Sequence, residues 1–137
     1  MGVSAVPNDG LISIESKHSV KDTIDRLETA LVAKGTTVFA RIDHAAGAAL
    51  VNMPLRPTVV LIFGNPKSGT PLMQFKQIIG LDLPLKVLGW EDSMGKVWLS
   101  YSDPGWIARR YEISADANSV VDVLTRFLAS ITEAAAS

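Results

Sequence analysis

The segment at residues 64–71, Gly-Asn-Pro-Lys-Ser-Gly-Thr-Pro, combines residue types that can bind an anion. It follows the apolar run at residues 59–63, and it carries Lys67 among small and hydroxyl-bearing residues. Thr70 and Pro71 are typical of an N-cap and a first helical position, so we predict that a helix begins there. The unpaired N–H groups of that helix start, together with Lys67, would bind a carboxylate or a phosphate. An ordinary strand-to-helix turn is the alternative.

The same segment differs from a nucleotide-binding P-loop in the position of its lysine. In that motif the lysine stands directly between a glycine and the Ser or Thr at the helix start, whereas Lys67 lies two residues before Gly69. The sequence also shows no acidic residue at the end of a second strand that would bind the magnesium ion. The pattern therefore indicates a site for a small anion rather than an NTPase.

His44 is a second candidate for chemistry, because a histidine can act as a general base for a serine such as Ser68 or Ser100. A structural hydrogen bond at a helix start is the alternative. His18 is the other histidine of the chain, and there is no cysteine. Two histidines without cysteine make a poor ligand set for zinc, so the sequence indicates neither a metal nor another cofactor.

Carboxylates at the ends of predicted elements could complete a catalytic pair with His44. Asp82 and Glu91 are the candidates, since paired ionisable groups can perform acid–base chemistry. Such a pair would make the protein a small hydrolase or isomerase. Acidic residues at these places also cap turns, and that structural alternative remains open.

Composition restricts the class of protein. The 137 residues carry a net charge of −1 and have a sequence pI near 6.1, so there is no basic surface for nucleic acid. The mean hydropathy of +0.24 predicts that part of an apolar surface is covered by a partner. No signal peptide or membrane-spanning run is visible, so we expect a cytoplasmic protein without a membrane partner.

Five segments rich in β-branched, aromatic and aliphatic residues are predicted to form strands. They are residues 11–15, 36–42, 58–63, 85–90 and 96–102. The third lacks alternation of apolar and polar residues, which predicts a strand covered on both faces. The last two are joined by residues 91–95, a hairpin-length turn.

Two longer amphipathic helices are predicted at residues 19–34 and 119–133. Ser19 and Ser119 each precede an aspartate by three residues, an arrangement similar to a capping box, and Gly35 ends the first helix. Short helices are predicted after Asp43, after Thr70 and after Asp103.

These elements define an α+β fold class. Strands joined by a tight hairpin are antiparallel, so the sheet should be mostly antiparallel. The two main amphipathic helices each need to bury one face, and a single side of the sheet provides that surface. We predict one domain over residues 11–137, preceded by a flexible N-terminal segment at residues 1–10.

Four motifs in order resemble those of the bacterial domain-of-unknown-function 302 family. They are Ile-Asp-His-Ala-Ala-Gly-Ala at residues 42–48, the segment at residues 61–73, Asp-Leu-Pro-Leu-Lys at residues 82–86, and Tyr-Ser-Asp-Pro at residues 101–104. The resemblance spans residues 15–137. It implies a curved antiparallel sheet with helices packed on it, similar to the arrangement in TATA-binding proteins, and it implies a homodimer.

The family has no established activity, so the resemblance assigns no catalytic residue. It indicates polar positions at which a site would be sought, and with Ser68 of the Lys67 segment these make our predicted ligand-binding set. The set is His44, Asn65, Lys67, Ser68, Thr70, Asp82, Lys86 and Tyr101. Our leading prediction is a non-catalytic, dimeric domain that binds a small ligand or anion. The alternatives are the hydrolase or isomerase described above and a structural interaction module.

Overall fold

A computed structural model describes residues 9–137. Its strands are β1 (Leu11–Ser16), β2 (Thr37–Asp43), β3 (Thr58–Gly64), β4 (Leu85–Glu91) and β5 (Val97–Ser102). Its α-helices are α1 (Val20–Ala33), α2 (His44–Leu50), α3 (Pro66–Phe75), α4 (Pro104–Arg110) and α5 (Asn118–Ala136). Short 3₁₀ helices at Gln77–Asp82 and Ala115–Ala117 follow α3 and precede α5. The α+β fold class and all five predicted strands are confirmed.

The strands form one antiparallel sheet in the order β1-β5-β4-β3-β2. The predicted hairpin joins β4 to β5, with Trp90 opposite Trp98. β1 and β2 are consecutive in the chain but lie at opposite edges, so α1 crosses the sheet between them. A β-bulge between Val38 and Ala40 inserts Phe39 into the edge strand β2.

The core lies between one face of the sheet and the helices α1 and α5. Apolar residues spaced three and four apart on α1 are fully buried, among them Ile24, Leu27 and Leu31. Leu61 and Val87 of the central strands are also fully buried, because paired strand positions point to the same face. This packing confirms the predicted placement of the two main helices on the sheet.

The prediction that β3 is covered on both faces is wrong within the described chain. Burial alternates along the strand, with Val59, Leu61 and Phe63 buried and the residues between them only half-buried. β2 and β4 flank β3 within the sheet, but the helices cover only one of its two faces. We call the second face the open face, and its residues include Ile42, Val60, Ile62, Leu88, Trp90 and Trp98.

Arg26 of α1 fixes the end of α5 against the rest of the domain. Its guanidinium donates hydrogen bonds of 3.0 Å to the carbonyl oxygens of Ala134 and Ala135. The N–H of Lys17 donates to the carbonyl oxygen of Ala136 at 2.9 Å. The last carbonyls of a helix have no partner within it, so these contacts satisfy groups that would otherwise need water.

Two predicted helix starts are wrong. α3 begins at Pro66 with Asn65 as its N-cap, five residues before the predicted cap Thr70, and Pro71 lies inside the helix. The Asn65-Pro66 pair satisfies the same start signals and comes first in the chain. α5 begins at Asn118 without a side-chain cap, because the preceding 3₁₀ helix leads directly into it, and Ser119 is therefore not its cap.

Candidate ligand cavity

A cavity of about 590 Å³ lies at the end of the sheet where β3 ends and α3 begins. β3 contributes Phe63 and Gly64, and α5 contributes a wall from its middle turns. Apolar side chains make most of the lining: Phe39, Phe63, Met73, Leu83, Leu85, Val123, Leu124 and Phe127. A volume of this size is in the range of cavities that hold small organic ligands.

The geometry of α3 and α5 explains why the space is not filled. Val123, Leu124 and Phe127 lie at positions i, i+1 and i+4 of α5, so they share one side of that helix. The opposing helix α3 presents small residues, including Gly69, whose nearest neighbours to an added Cβ would be 3.8 and 3.9 Å away. Small residues opposite large ones leave room between the two helices.

Polar groups of the cavity lie in two places. Asn65, Ser68 and Thr70 belong to the first turns of α3, and Lys34 and Thr36 lie after α1. Lys34 is the single ionisable residue among the described residues that line the cavity. The lining therefore combines a large apolar surface with a few hydrogen-bonding groups and one positive charge.

Three residues of the predicted ligand-binding set, Asn65, Ser68 and Thr70, line this cavity. Lys67, which was the centre of the predicted anion site, is not among the described lining residues, and it is exposed. The remaining four predicted residues, His44, Asp82, Lys86 and Tyr101, also lie elsewhere.

The predicted group of free N–H donors after Thr70, which would include the N–H of Leu72, is wrong. Because α3 begins at Pro66, the N–H of Leu72 lies within the helix rather than at its start. The true start has few free donors. Pro66 has no N–H, and the N–H of Lys67 donates to the Asn65 side-chain oxygen at 2.9 Å.

Asp82 has a structural role in this fold. It accepts hydrogen bonds from the hydroxyl of Tyr111 and, at 3.0 Å, from the guanidinium of Arg110. The hydrogen bond to the Asp82 carboxylate, followed by burial, raises the pKa of the Tyr111 phenol. The three side chains tie the 3₁₀ helix after α3 to α4.

His44 lies at the opposite end of the sheet from the cavity. It begins α2 beside the start of β3, and the seven residues of β3 span about 20 Å, which separates it from Asp82 and Ser68. Ser100 is on β5, three strand spacings or about 14 Å from β2. Glu91 is at the same end as His44, but β3 lies between their strands, a spacing of about 10 Å.

Lys86 and Tyr101 occupy opposite faces of the sheet. Lys86 pairs with Ile62 and is exposed on the open face. Tyr101 is 7% exposed and lies in the core, where burial raises the pKa of its phenol. Tyr101 therefore contributes to packing of the core rather than to the cavity.

Within residues 9–137, no three His, Cys, Asp or Glu side chains lie close enough to hold a metal ion together. Among the helices formed by these residues, none has the length and hydrophobicity that crossing a lipid bilayer requires.

Several residues that line the cavity were not predicted from the sequence to belong to a site. Phe39 was placed in a strand, Lys34 at a helix end, and Val123 and Phe127 on a helix that packs on the sheet. Phe127 packs against the core on one side of α5 but is only partly buried. Phe39 lies in the edge strand β2 and is 56% exposed. Both properties come from the fold, so the sequence carried no signal that marks these two residues as part of a cavity.

The fold and cavity define a small α+β domain with one sheet, one helical layer and an apolar cavity at the sheet's end. The sequence profile of the domain of unknown function DUF302 matches residues 12–131, so the chain belongs to that family. The crystal structure of an uncharacterised conserved DUF302 protein from Bacillus stearothermophilus superposes with a TM-score of 0.82 at 16% identity, covering 92% of this chain and 98% of that one.

Curated relatives from Brucella are longer than this chain. The "Fluoride-specific ion channel FluC 1" proteins of Brucella suis and Brucella abortus are each 42% identical over 134 residues. The alignment covers 98% of this chain but 53% and 50% of the respective relatives. The chain thus spans about half the length of the curated relatives it matches.

Proposed function

We propose that this domain binds a small, mostly apolar organic molecule in the cavity between α3 and α5. The observation that carries the proposal is a 590 Å³ space lined by phenylalanine, leucine and methionine side chains with a few polar groups at its edge. Ligand sites of proteins typically have this volume and this mixture. Burial of apolar ligand surface would supply most of the affinity.

The lining supports binding without catalysis. Acid–base and nucleophilic mechanisms need a titratable side chain beside the reacting atoms, most often histidine, a carboxylate or cysteine. Among the described lining residues, Lys34 alone is ionisable, and Ser68 and Thr70 have no neighbouring base in the lining. The domain would therefore sequester or sense its ligand.

The neutral dye N-phenyl-1-naphthylamine tests the proposal, because its fluorescence rises when it enters an apolar site. We expect wild-type protein to bind the dye and Gly69→Leu to bind it at least tenfold more weakly, because the leucine side chain would occupy the space between α3 and α5. Leucine is also a better helix former than glycine by several tenths of a kcal/mol, so the helix should be retained.

Gly47→Leu is the matched control for that substitution. Gly47 lies in the helix α2, away from the cavity, and an added Cβ would meet nothing within 4 Å. Its dye affinity should equal that of wild type. Dye binding that is undetectable in wild type, or equal in the Gly69→Leu and Gly47→Leu variants, would refute the proposed cavity function.

We further propose that two copies of the domain pair through the open face. Its apolar residues are half-buried or exposed, with Ile42 43% exposed, and mean hydropathy is +0.24. Five strands about 4.8 Å apart and about 20 Å long give a flat area of roughly 480 Å² per copy, so a pair would bury about the 1,000 Å² that specific interfaces need. Sedimentation equilibrium should then give about twice 14.7 kDa. A monomer mass at micromolar concentration would contradict the pairing.

A second candidate function is a role beside a fluoride channel. Its support is the 42% identity to half of the Brucella proteins that carry the name of such a channel. Domains that occur together in one protein often act together, so this domain would then assist a channel. Deleting its coding sequence from the host should lower the fluoride concentration that halves growth, with restoration on complementation. Unchanged fluoride tolerance would remove this candidate.

A further inference from the structure

The charged residues of the cavity indicate which charge the ligand carries, which the cavity volume alone does not. The described lining contains one lysine, Lys34, and no aspartate or glutamate. A cationic ligand would therefore meet a like charge without a compensating carboxylate. A ligand with a negative group would meet a positive charge beside an apolar space, so both parts of an amphipathic anion would find a suitable partner.

Lys34 is in a suitable place to contact such a group. It is the C-cap residue of α1, it remains exposed, and it lines the cavity together with Thr36 and Asn65. Asn65 uses its side-chain oxygen to cap α3, which leaves its amide N–H groups as donors. A charged donor and neutral donors at the edge of an apolar cavity suit a carboxylate whose hydrocarbon part lies inside.

We infer that the cavity takes an amphipathic monoanion, a carboxylate with an aliphatic or aromatic body, and that Lys34 is the residue that selects the negative group. This inference rests on the proposed ligand-binding function of the same cavity. The apolar body would lie against Phe63, Leu124 and Phe127, and the carboxylate would lie at the Lys34 end.

A competing role for Lys34 is purely structural. A lysine at the end of a helix interacts favourably with the helix dipole, and the last turn of α1 holds no other basic residue. That role predicts a change in stability when Lys34 is replaced, but it predicts no change in which ligands bind. Ligand selectivity is therefore the readout that separates the two roles.

The experiment compares three ten-carbon probes that differ in their polar group: decanoate, decan-1-ol and decylammonium. Each displaces N-phenyl-1-naphthylamine from the full chain at neutral pH. Decanoate should displace the dye at about a fivefold lower concentration than decanol, and decylammonium should be the weakest. The preference for decanoate should shrink as salt is raised from 0.05 to 0.5 M, since ions screen an exposed charge over a distance of about 10 Å at 0.1 M.

Three variants assign the preference to a residue. Lys34→Gln should bring decanoate to the level of decanol, each measured against the dye affinity of the same variant, and Lys34→Arg should keep the preference for decanoate. Lys67→Gln is the matched control, because Lys67 is a nearby exposed lysine outside the described lining. It should behave as wild type.

The outcomes separate this inference from the function on which it rests. Absence of dye binding overturns both. Dye binding with equal displacement by decanoate and decanol overturns the monoanion inference and leaves the cavity function standing. A preference that is lost in Lys67→Gln but kept in Lys34→Gln overturns the assignment to Lys34.

Discussion

Replacing Gly10 by alanine should lower the free energy of unfolding by about 3 kcal/mol, with a fall in melting temperature of about 10 °C. Gly10 has φ +75, a conformation that costs an L-residue roughly 1–2 kcal/mol. A Cβ there would also lie 2.7 Å from Cδ2 of Trp106 and closer still to its Cβ and Cγ. The Trp106 Cβ is bound to the backbone of α4, so the clash cannot be relieved by turning the indole alone.

Gly35→Ala is the matched control for this strain. Gly35 has nearly the same φ, +73, but an added Cβ would meet nothing within 4 Å. Gly35→Ala should lower the free energy of unfolding by only about 1 kcal/mol, which is the backbone contribution alone. Urea unfolding followed by tryptophan fluorescence measures both variants. Equal costs for the two would show that contact with Trp106 does not constrain Gly10.

Gly89→Val should destabilise the protein by about 3 kcal/mol through overpacking. Gly89 lies where α1 crosses β4, and an added Cβ would be 2.9 Å from Cδ1 and 3.0 Å from Cγ1 of the fully buried Ile24. Ile24→Ala alone should cost about 3 kcal/mol by leaving a cavity. The double variant exchanges three carbons across the contact and should cost only about 1.5 kcal/mol, because the buried volume is conserved.

Val20→Ala is the control partner in this double-mutant cycle. Val20 Cγ1 lies 3.5 Å from the added Cβ, an ordinary contact, so Val20→Ala should rescue Gly89→Val much less than Ile24→Ala does. The free energies come from denaturant unfolding of all variants under one condition. Additive costs for Gly89→Val and Ile24→Ala would show that the two side chains do not compete for the same space.

Local sequence signals were sufficient to predict the strands and the end of α1. Strand pairing needs β-branched and aromatic residues in short runs, and residues 58–63 and 96–102 have them, so their strands lie within a residue of the prediction. Gly35 ends α1 because its positive φ suits glycine. The predicted start of α3 is wrong because Asn65-Pro66 and Thr70-Pro71 both have the pattern of an N-cap followed by proline. Only the surrounding fold selects one of the two pairs.

The candidate site could be only partly predicted, because it is built from segments far apart in the chain. Asn65, Ser68 and Thr70 were found since the loop after a buried strand is a common place for a site. Lys34 and Phe127 come from two helices that meet the cavity only after α1 and α5 pack on the sheet. No periodicity or motif indicates that Lys34 lies close to residues 64–71 in the fold. The sequence analysis therefore predicted the lysine within that segment, Lys67, as the binding residue.

The order of the sheet has a consequence for how the chain folds. β2, β3, β4 and β5 are neighbours in both sequence and space, so their pairings close much shorter loops than the pairing of β1 does. β1 instead pairs with β5, and Ser13 and Ser100, whose hydroxyls are 2.7 Å apart, are separated by 87 positions. Closing so long a loop costs more entropy, and distant pairings form slowly. The meander of four strands should therefore assemble first, and the N-terminal strand should complete the sheet last.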